Sequence, residues 1–160
     1  MDLTDNTLNT RDIWKHVEEE QDLINCMKED LSNYLNEELS EALRLERASE
    51  REEALHSLGE KARELVGDII SQAEDLRPWS QFVEEYEDEI EDFLYGDLLI
   101  ADDHFEDYAK QLAFDTVSVG DAGWDAWPLN CIDWSSAAEE IQSDYMNVTI
   151  GDHEFWVRWG

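Results

Sequence analysis

Carboxylates are the side chains of this sequence whose type and spacing point to chemistry. Between Phe82 and Leu94 there are seven acids, which in a helix would place roughly one carboxylate per 3 Å of axis. Duplex DNA carries one charge per about 1.7 Å of axis. With the acids of two further segments alongside, the charge per length approaches that of the duplex, which predicts a surface that imitates phosphates. The candidate phosphate mimics are Glu84, Glu85, Glu87, Asp88, Glu89, Glu91, Asp92, Asp102, Asp103, Glu106, Asp107, Glu139, Glu140 and Asp144.

Few other residues suggest catalysis. The sequence has no Walker loop, dinucleotide fingerprint, GxSxG elbow or HExxH motif. Its four histidines are far apart and none has a convincing ligand neighbour at i+3 or i+4. Carboxylate pairs are so frequent that no single pair indicates general acid–base work. We therefore expect a protein that is not an enzyme and uses no cofactor.

The string ADDHFED at residues 101–107 is the segment most suggestive of a divalent cation, because calcium and magnesium prefer oxygen ligands. It lacks the loop spacing and the distal Glu of an EF-hand. Acids at the start of a helix are also favoured by the helix dipole, which explains the string without a metal. We expect no metal site. A cation-binding protein is kept as an alternative function, besides the two considered at the end of this subsection.

The charge is large and unevenly distributed. The 160 residues hold 42 acids against 11 Lys and Arg, a net charge of -31. Residues 78–157 contain a single base, Lys110, whereas residues 1–77 interleave both signs. Such a chain is repelled by nucleic acid and by anionic membranes, so a basic surface is the expected partner. The 7 Trp, 5 Tyr and 5 Phe indicate a folded protein rather than an acidic tail.

A purely solubilising role, or adaptation to high salt, is the alternative explanation of the acids. It predicts the same excess throughout the chain, and the two halves differ.

The first half of the chain predicts a helical hairpin or short coiled coil. Apolar residues recur at helical spacing over two stretches, and Pro78 is expected to stop the second helix. Gly59 and Gly67 argue against one rigid rod. The predicted buried positions are Ile13, Val17, Ile24, Met27, Leu31, Leu35 and Leu39, and then Leu55, Leu58, Ala62, Leu65, Ile69, Ala73 and Leu76.

The second half predicts acidic helices and a β-hairpin. The segment from Phe82 to Leu94 has apolar residues at helical spacing, closed by Gly96 as a C-cap. A second acidic helix is expected from Asp102 or Asp103, and a third, WSSAAEEIQ, with Asp133 as N-cap. YMNVTI and HEFWVRW flank the Gly151-Asp152 turn and read as two strands. The predicted fold is α+β and mainly α-helical, with a helical region at 1–77 and an acidic domain at 78–160.

The cysteines and the hydropathy indicate the compartment. Cys26 and Cys131 are expected to be reduced thiols rather than a disulfide or a metal site. No apolar run is long enough to span a bilayer, and the first ten residues do not look like a secretion signal. We expect a soluble, cytoplasmic protein.

The second half of the chain carries a recognisable set of residues, most specific in its last third. They are the run from Trp127 to Trp134, WPLNCIDW, then Ala137, Ala138, Asp144, Tyr145, Val148, Gly151, Phe155, Trp156, Val157 and Arg158. With them, the segment of about residues 80–160 resembles the end of ArdA-type antirestriction proteins. The upstream Phe105, Tyr108, Ala109 and Leu112 look like that family's acidic helix.

The resemblance implies a phage, plasmid or transposon protein that mimics duplex DNA and blocks type I restriction-modification enzymes, commonly as a dimer. It implies no catalysis and no cofactor. The acids of the segments 84–92 and 102–107 would carry the mimicry. Core or dimer packing is the implied role of Trp127, Pro128, Ile132, Trp134, Tyr145 and Trp156. The first 77 residues depart from the family, whose members begin with a small, partly β domain.

We therefore expect an anti-defence DNA mimic in the host cytoplasm, with a homodimer implied. Its partner would be a DNA-binding host defence protein, foremost a type I restriction-modification enzyme, and neither nucleic acid nor a membrane. The helical region at 1–77 is a candidate for dimerisation. The alternative is an acidic helical adaptor or chaperone for a basic intracellular partner, which would bind through the apolar faces of residues 13–76.

Overall fold

A computed structural model describes residues 1–117, 123–127 and 129–158 of the chain. The fold is α+β and mainly helical. Four helices are present in these residues: α1 Thr10–Arg44, α2 Ala48–Tyr86, α3 Phe105–Thr116 and α4 Trp134–Gln142. The four strands are β1 Thr7–Asn9, β2 Leu98–Ala101, β3 Tyr145–Ile150 and β4 His153–Arg158. Short 3₁₀ turns cover Asp102–His104 and Leu129–Cys131.

The four strands form one antiparallel sheet in the order β1-β2-β4-β3. The predicted C-terminal hairpin is confirmed: β3 pairs with β4 from Tyr145 opposite Arg158 to Ile150 opposite His153. Gly151 takes a positive φ of 61° in the connecting turn, which suits a glycine. β1 and β2 were not predicted, because their three and four residues are too short to show strand periodicity. Leu8 is buried opposite Leu99 of β2.

The chain divides into two compact units. The first, Met1–Lys15 with Gln81–Gly160, is called the sheet unit here, and the second, His16–Ser80, the hairpin unit. The division after residue 80 lies near the boundary predicted after residue 77. The first fifteen residues, however, group with the acidic part of the chain rather than with the helical region.

The hairpin unit is a pair of antiparallel helical segments. The ring of His16 meets that of Trp79 edge-on at 5.8 Å, and Gln72 Nε2 donates to Glu20 Oε2 at 2.5 Å. Ile24 is buried at 2 % exposure. The predicted helical hairpin is confirmed, but its apolar positions are not all covered: Leu39, Leu55 and Ala73 are exposed.

Two predictions for α2 and its continuation were wrong. Pro78 lies inside α2 instead of ending it. A proline within a helix costs about 3 kcal/mol, and burial of large apolar side chains such as Leu76, Trp79 and Phe82 offsets this at about 1.5 to 3 kcal/mol each.

The acidic segment from Phe82 to Leu94 is helical only as far as Tyr86. Residues 87–95 form consecutive turns. A helix there would place like charges four residues apart and acids at the negative end of its dipole, with no base to relieve them. The turns keep Ile90 and Phe93 buried, and leave Leu94 half-exposed.

No helix among the described residues has an apolar stretch long enough to cross a membrane.

Candidate functional site

The fourteen predicted phosphate mimics all lie in the sheet unit, and every one of them is exposed. They occupy several kinds of local structure rather than one long helix. Glu84 and Glu85 end α2, and the next five lie in the turns of residues 87–92. The remaining seven lie in the 3₁₀ turn Asp102–His104, on α3, on α4 and, in the case of Asp144, just before β3. We call these fourteen carboxylates the acidic surface.

The turns of residues 87–95 are held by the N-terminal strand region. Thr10, fully buried, donates its hydroxyl hydrogen to the Phe93 carbonyl at 2.6 Å and accepts from the Asp97 N–H at 2.9 Å. Asn9 Nδ2 donates to the Gly96 carbonyl at 3.1 Å. Because Gly96 has φ +106° and a Cβ there would lie 2.7 Å from the Asn9 side chain, the position requires glycine. These bonds fix the end of the segment that displays five of the carboxylates.

A second group of carboxylates surrounds the start of α3. Asp102 and Asp103 lie in the 3₁₀ turn, and Glu106 and Asp107 in the first helical turn, where the helix dipole favours negative charge. Asp102 Oδ1 accepts from Trp156 Nε1 at 2.7 Å, so its position is tied to β4. The helix was predicted to begin at Asp102 or Asp103. The 3₁₀ turn begins at Asp102 and α3 follows it at Phe105, so the prediction is confirmed to within that turn.

The third group lies on and after α4. Glu139 and Glu140 are exposed on the helix, and Asp144 follows it. The predicted N-cap is confirmed, because Asp133 accepts a hydrogen bond from the Ser136 N–H at 3.2 Å. That bond lowers the pKa of the Asp133 carboxyl below its usual value.

The acidic surface has almost no internal neutralisation. Within the described residues, no Lys or Arg nitrogen lies within 4.0 Å of any of the fourteen carboxylates. Only the His104 imidazole approaches one of them, at 3.7 Å from Asp107. Lys110 instead lies over aromatic rings, 5.8 Å from the centre of Phe114 and 5.9 Å from Trp134. The carboxylates are therefore left for water, ions or a partner.

The sheet adds acids that the sequence analysis did not select. A cleft of about 400 Å³ is lined by Asp102 and Asp103 together with Asp5, Asp152 and Glu154. Strand pairing places them there, because Ala101 of β2 is opposite Phe155 of β4 and its N–H bonds to the Asn6 carbonyl. Sequence spacing alone carries no signal for this, since residues 5, 102 and 152 are far apart in the chain.

One acid of the acidic turn region is disfavoured in its charged form. Burial, followed by the charge of Asp92, raises the pKa of the Asp97 carboxyl. Repulsion between carboxylates is thus the second cause of this shift in pKa, after burial.

The residues that the resemblance assigned to packing separate into different environments. Tyr145 is buried, and its hydroxyl is 3.0 Å from that of Tyr108. Burial, followed by this bond, raises the pKa of Tyr145. Trp156 and Trp134 pack against Phe105 and Phe114 respectively. Ile132 is half-buried, and Pro128 lies outside the described residues. Trp127 is 81 % exposed, so it does not pack in the core of the single chain, and dimer packing, the other implied role, stays a prediction.

Metal and thiol chemistry have no assembled site in the described residues. No group of three or more His, Cys, Asp or Glu side chains there is arranged to hold a metal ion. Cys26 and Cys131 are both free and exposed.

Comparisons with models of protein families, with curated proteins and with solved structures found no match for this chain.

Proposed function

We propose that the protein is a DNA mimic that inhibits a DNA-binding defence enzyme. The observation that carries the proposal is the acidic surface: fourteen exposed carboxylates in one unit, with no Lys or Arg beside them in the described residues. Its target would be the DNA groove of a host type I restriction-modification enzyme or a related defence protein. The protein would act in the host cytoplasm as a phage or mobile-element product.

The charge balance of the sheet unit supports this proposal. The unit holds 24 acids and 4 bases, a net charge of -20, on a frame whose acidic turns and α3 start are hydrogen-bonded in place. The backbone of these turns and the Asp102 side chain therefore lose little conformational entropy on binding, which favours association. Binding of these carboxylates to a groove lined by Lys and Arg would release condensed counterions into solution, as binding of DNA phosphates does.

The resemblance to ArdA-type proteins supports the class of target. The residues that carry it, from Trp127 to Arg158, belong to the sheet unit, the same unit that carries the acidic surface. Inhibition by this route needs no bond making. The inhibitor and DNA compete for one basic surface, and long-range attraction between opposite charges accelerates their encounter.

The test is competition with DNA. Purified protein is titrated into a type I restriction enzyme bound to labelled duplex, at low and at near-physiological salt, and the bound fraction is followed by fluorescence anisotropy. We expect displacement at near-stoichiometric protein, and a direct affinity for the enzyme that weakens as salt rises. A folded protein that displaces no DNA at either salt concentration would contradict the restriction target.

The adaptor alternative is favoured by a different observation, the exposed apolar side chains of the hairpin unit. An adaptor would bind its basic partner through these side chains, and charge reversal on the sheet unit would leave that binding largely unchanged. A pull-down with the charge-reversed protein therefore distinguishes the two functions.

A further inference from the structure

The hairpin unit has one long side without a carboxylate. Along α2, the positions that recur every three or four residues from Leu55 to Arg77 hold no acid, although the helix contains ten. These positions share one side of the helix because 3.6 residues make a turn. They are Leu55, Gly59, Ala62, Val66, Ile70, Ala73 and Arg77.

A matching stripe runs along α1. From Gln21 to Leu43 the positions at the same spacing also hold no acid, and α1 likewise contains ten. The members are Gln21, Asn25, Lys28, Ser32, Leu35, Leu39 and Leu43.

The two stripes lie on the same side of the hairpin. The pairs His16 with Trp79 and Glu20 with Gln72 show which sides of the two helices face each other and that the helices run antiparallel. On each helix, the acid-free stripe is rotated by about a quarter turn from the side that faces the other helix, in the direction in which the chain winds. Because both helices are right-handed and they run antiparallel, the two rotations bring both stripes to the same side of the hairpin. We call the fourteen positions the acid-free face.

The opposite side of the hairpin has the reverse character. The two stripes rotated by a quarter turn in the opposite direction from the facing sides hold eight acids. These are Glu19, Asp30, Glu37, Glu41, Glu53, Glu64, Asp68 and Asp75. A general need for solubility would spread acids over both sides, so the difference calls for a separate cause.

Apolar exposure coincides with the acid-free face. The hairpin unit has six large apolar side chains that are exposed, by 38 % to 59 % of their area. Five of them, Leu39, Leu43, Leu55, Val66 and Ile70, lie on the acid-free face, and Leu23 lies on the acidic side. Exposed apolar side chains concentrated on one side of a helix pair indicate a contact with another protein.

We propose that the acid-free face binds the same face of a second copy of this chain, so that two hairpin units form a four-helix bundle. Two helices cover only one side of each other, and a second pair is the smallest addition that covers the remaining apolar side. The face is about 33 Å long from Leu55 to Arg77 and about 20 Å wide. That area is of the order of the roughly 800 Å² per partner in a standard interface.

Charge also restricts where a second copy can bind. Two chains of net charge -31 repel each other on every acidic side, and the acid-free face is where the hairpins approach with least repulsion.

The test is the mass of the full-length protein by size-exclusion chromatography with light scattering, at low and high salt. We expect twice the 18.7 kDa chain mass, with the dimer favoured at high salt because screening weakens repulsion and apolar contact is strengthened. The double substitution Val66→Glu/Ile70→Glu changes two exposed positions and is expected to raise the dimer dissociation constant at least about 100-fold.

The matched control is Leu23→Glu/Cys26→Glu, which adds the same charge at two exposed positions on the acidic side. We expect it to leave the mass unchanged. Circular dichroism confirms that both variants keep their helices.

A second measurement uses the unmodified chain. The thermal midpoint of a dimer rises with protein concentration, and that of a monomer does not. A monomeric mass together with a constant midpoint overturns the proposal, and so does a dimer that survives Val66→Glu/Ile70→Glu. DNA displacement is measured separately, so failure of the inhibitor proposal and failure of this one are distinguishable.

Discussion

The sheet unit and the hairpin unit use acidic residues in different ways. In the hairpin unit, bases pair with neighbouring acids, as Lys61 does with Glu64 at 2.7 Å and Arg47 with Glu50 at 3.1 Å. In the described part of the sheet unit, the Lys or Arg pair within 4.0 Å is Arg11 with Asp12 at 3.9 Å. With a similar acid content, the hairpin unit is a helix pair whose acids avoid one side. The described part of the sheet unit instead carries carboxylates without Lys or Arg partners.

The difference predicts opposite responses to salt. Binding of a basic groove to the acidic surface weakens as salt rises, because each released counterion enters a more concentrated solution and gains less entropy. Association through the acid-free face strengthens, because like charges are screened. Measurements at two salt concentrations on one preparation therefore distinguish binding through the acidic surface from association through the acid-free face.

Charge reversal at the end of α2 and in the turns of residues 87–92 is expected to have the largest effect. Lys in place of Glu85, Asp88, Glu89 and Asp92 together should weaken competition with DNA at least about 100-fold, since the field of the surface is shared. Each single reversal should change it by only a few-fold. The measurement is the anisotropy competition described above.

The matched control for this reversal lies on the hairpin unit. Replacing Glu19, Asp30, Glu37 and Glu41 with Lys makes the same change in net charge on the acidic side of the hairpin. We expect it to leave competition nearly unchanged. An equal loss from both sets would mean that net charge alone decides binding, and a single reversal as damaging as the set would mean a localised site.

Removal of the outer hairpin is the next largest change. The Glu20 and Gln72 side chains are hydrogen-bonded, so a short Gly/Ser linker can replace residues 21–71 and preserve β1 and Thr10. We expect a monomer that still displaces DNA, with at most about a tenfold loss through lost bivalency. Complete loss of displacement would assign the target contact to the hairpin and favour the adaptor function. A cut after residue 77 would be unsuitable, because it removes β1 from the sheet.

Thr10→Val tests what holds the acidic turns. Thr10 is buried, and valine of similar shape leaves the Phe93 carbonyl and the Asp97 N–H without their partner. The cost is about 1 to 3 kcal/mol of unfolding free energy, measured by urea denaturation. Thr7→Val, at an exposed position of β1, is the control and should change stability little. Equal effects of the two would show that the Thr10 bonds contribute nothing.

The sequence predicted what local pattern determines and missed what distant pairing determines. The β-hairpin, α4 with its Asp133 cap and the helical hairpin were all readable, because turn chemistry and helical spacing act within a few residues. β1 was not readable, since its three residues gain their strand conformation from β2, about ninety positions away. The acidic turns were misread as helix because Ile90 and Phe93 have helical spacing, and charge repulsion and the helix dipole outweigh that pattern.

The candidate site was predictable as a set of exposed residues, but the arrangement of these residues into a surface was not. Exposure of all fourteen acids followed from their charge. The acids at positions 5, 152 and 154, which share a cleft with Asp102, are brought there by the sheet alone.

The smallest expected effect separates two kinds of carboxylate within the sheet unit. Because burial and Asp92 raise the pKa of Asp97, the folded state holds that proton to higher pH than the unfolded chain. Its contribution to the unfolding free energy therefore falls as pH rises from the ordinary to the raised pKa. Asp97→Asn removes this loss, so the variant should gain stability relative to the original protein as pH rises through that window.

Asp133 should show the opposite sign. The Ser136 N–H lowers the pKa of its carboxyl, so its stabilising contribution is present above the ordinary pKa and is lost as pH falls through the lowered one. Asp133→Asn should therefore be less stable than the original protein at neutral pH, and the difference should close in acid. Urea midpoints across a pH series measure both variants. If both differences changed with pH in the same direction, the repelled carboxylate at the acidic turns and the hydrogen-bonded one at the helix cap would not differ as the structure indicates.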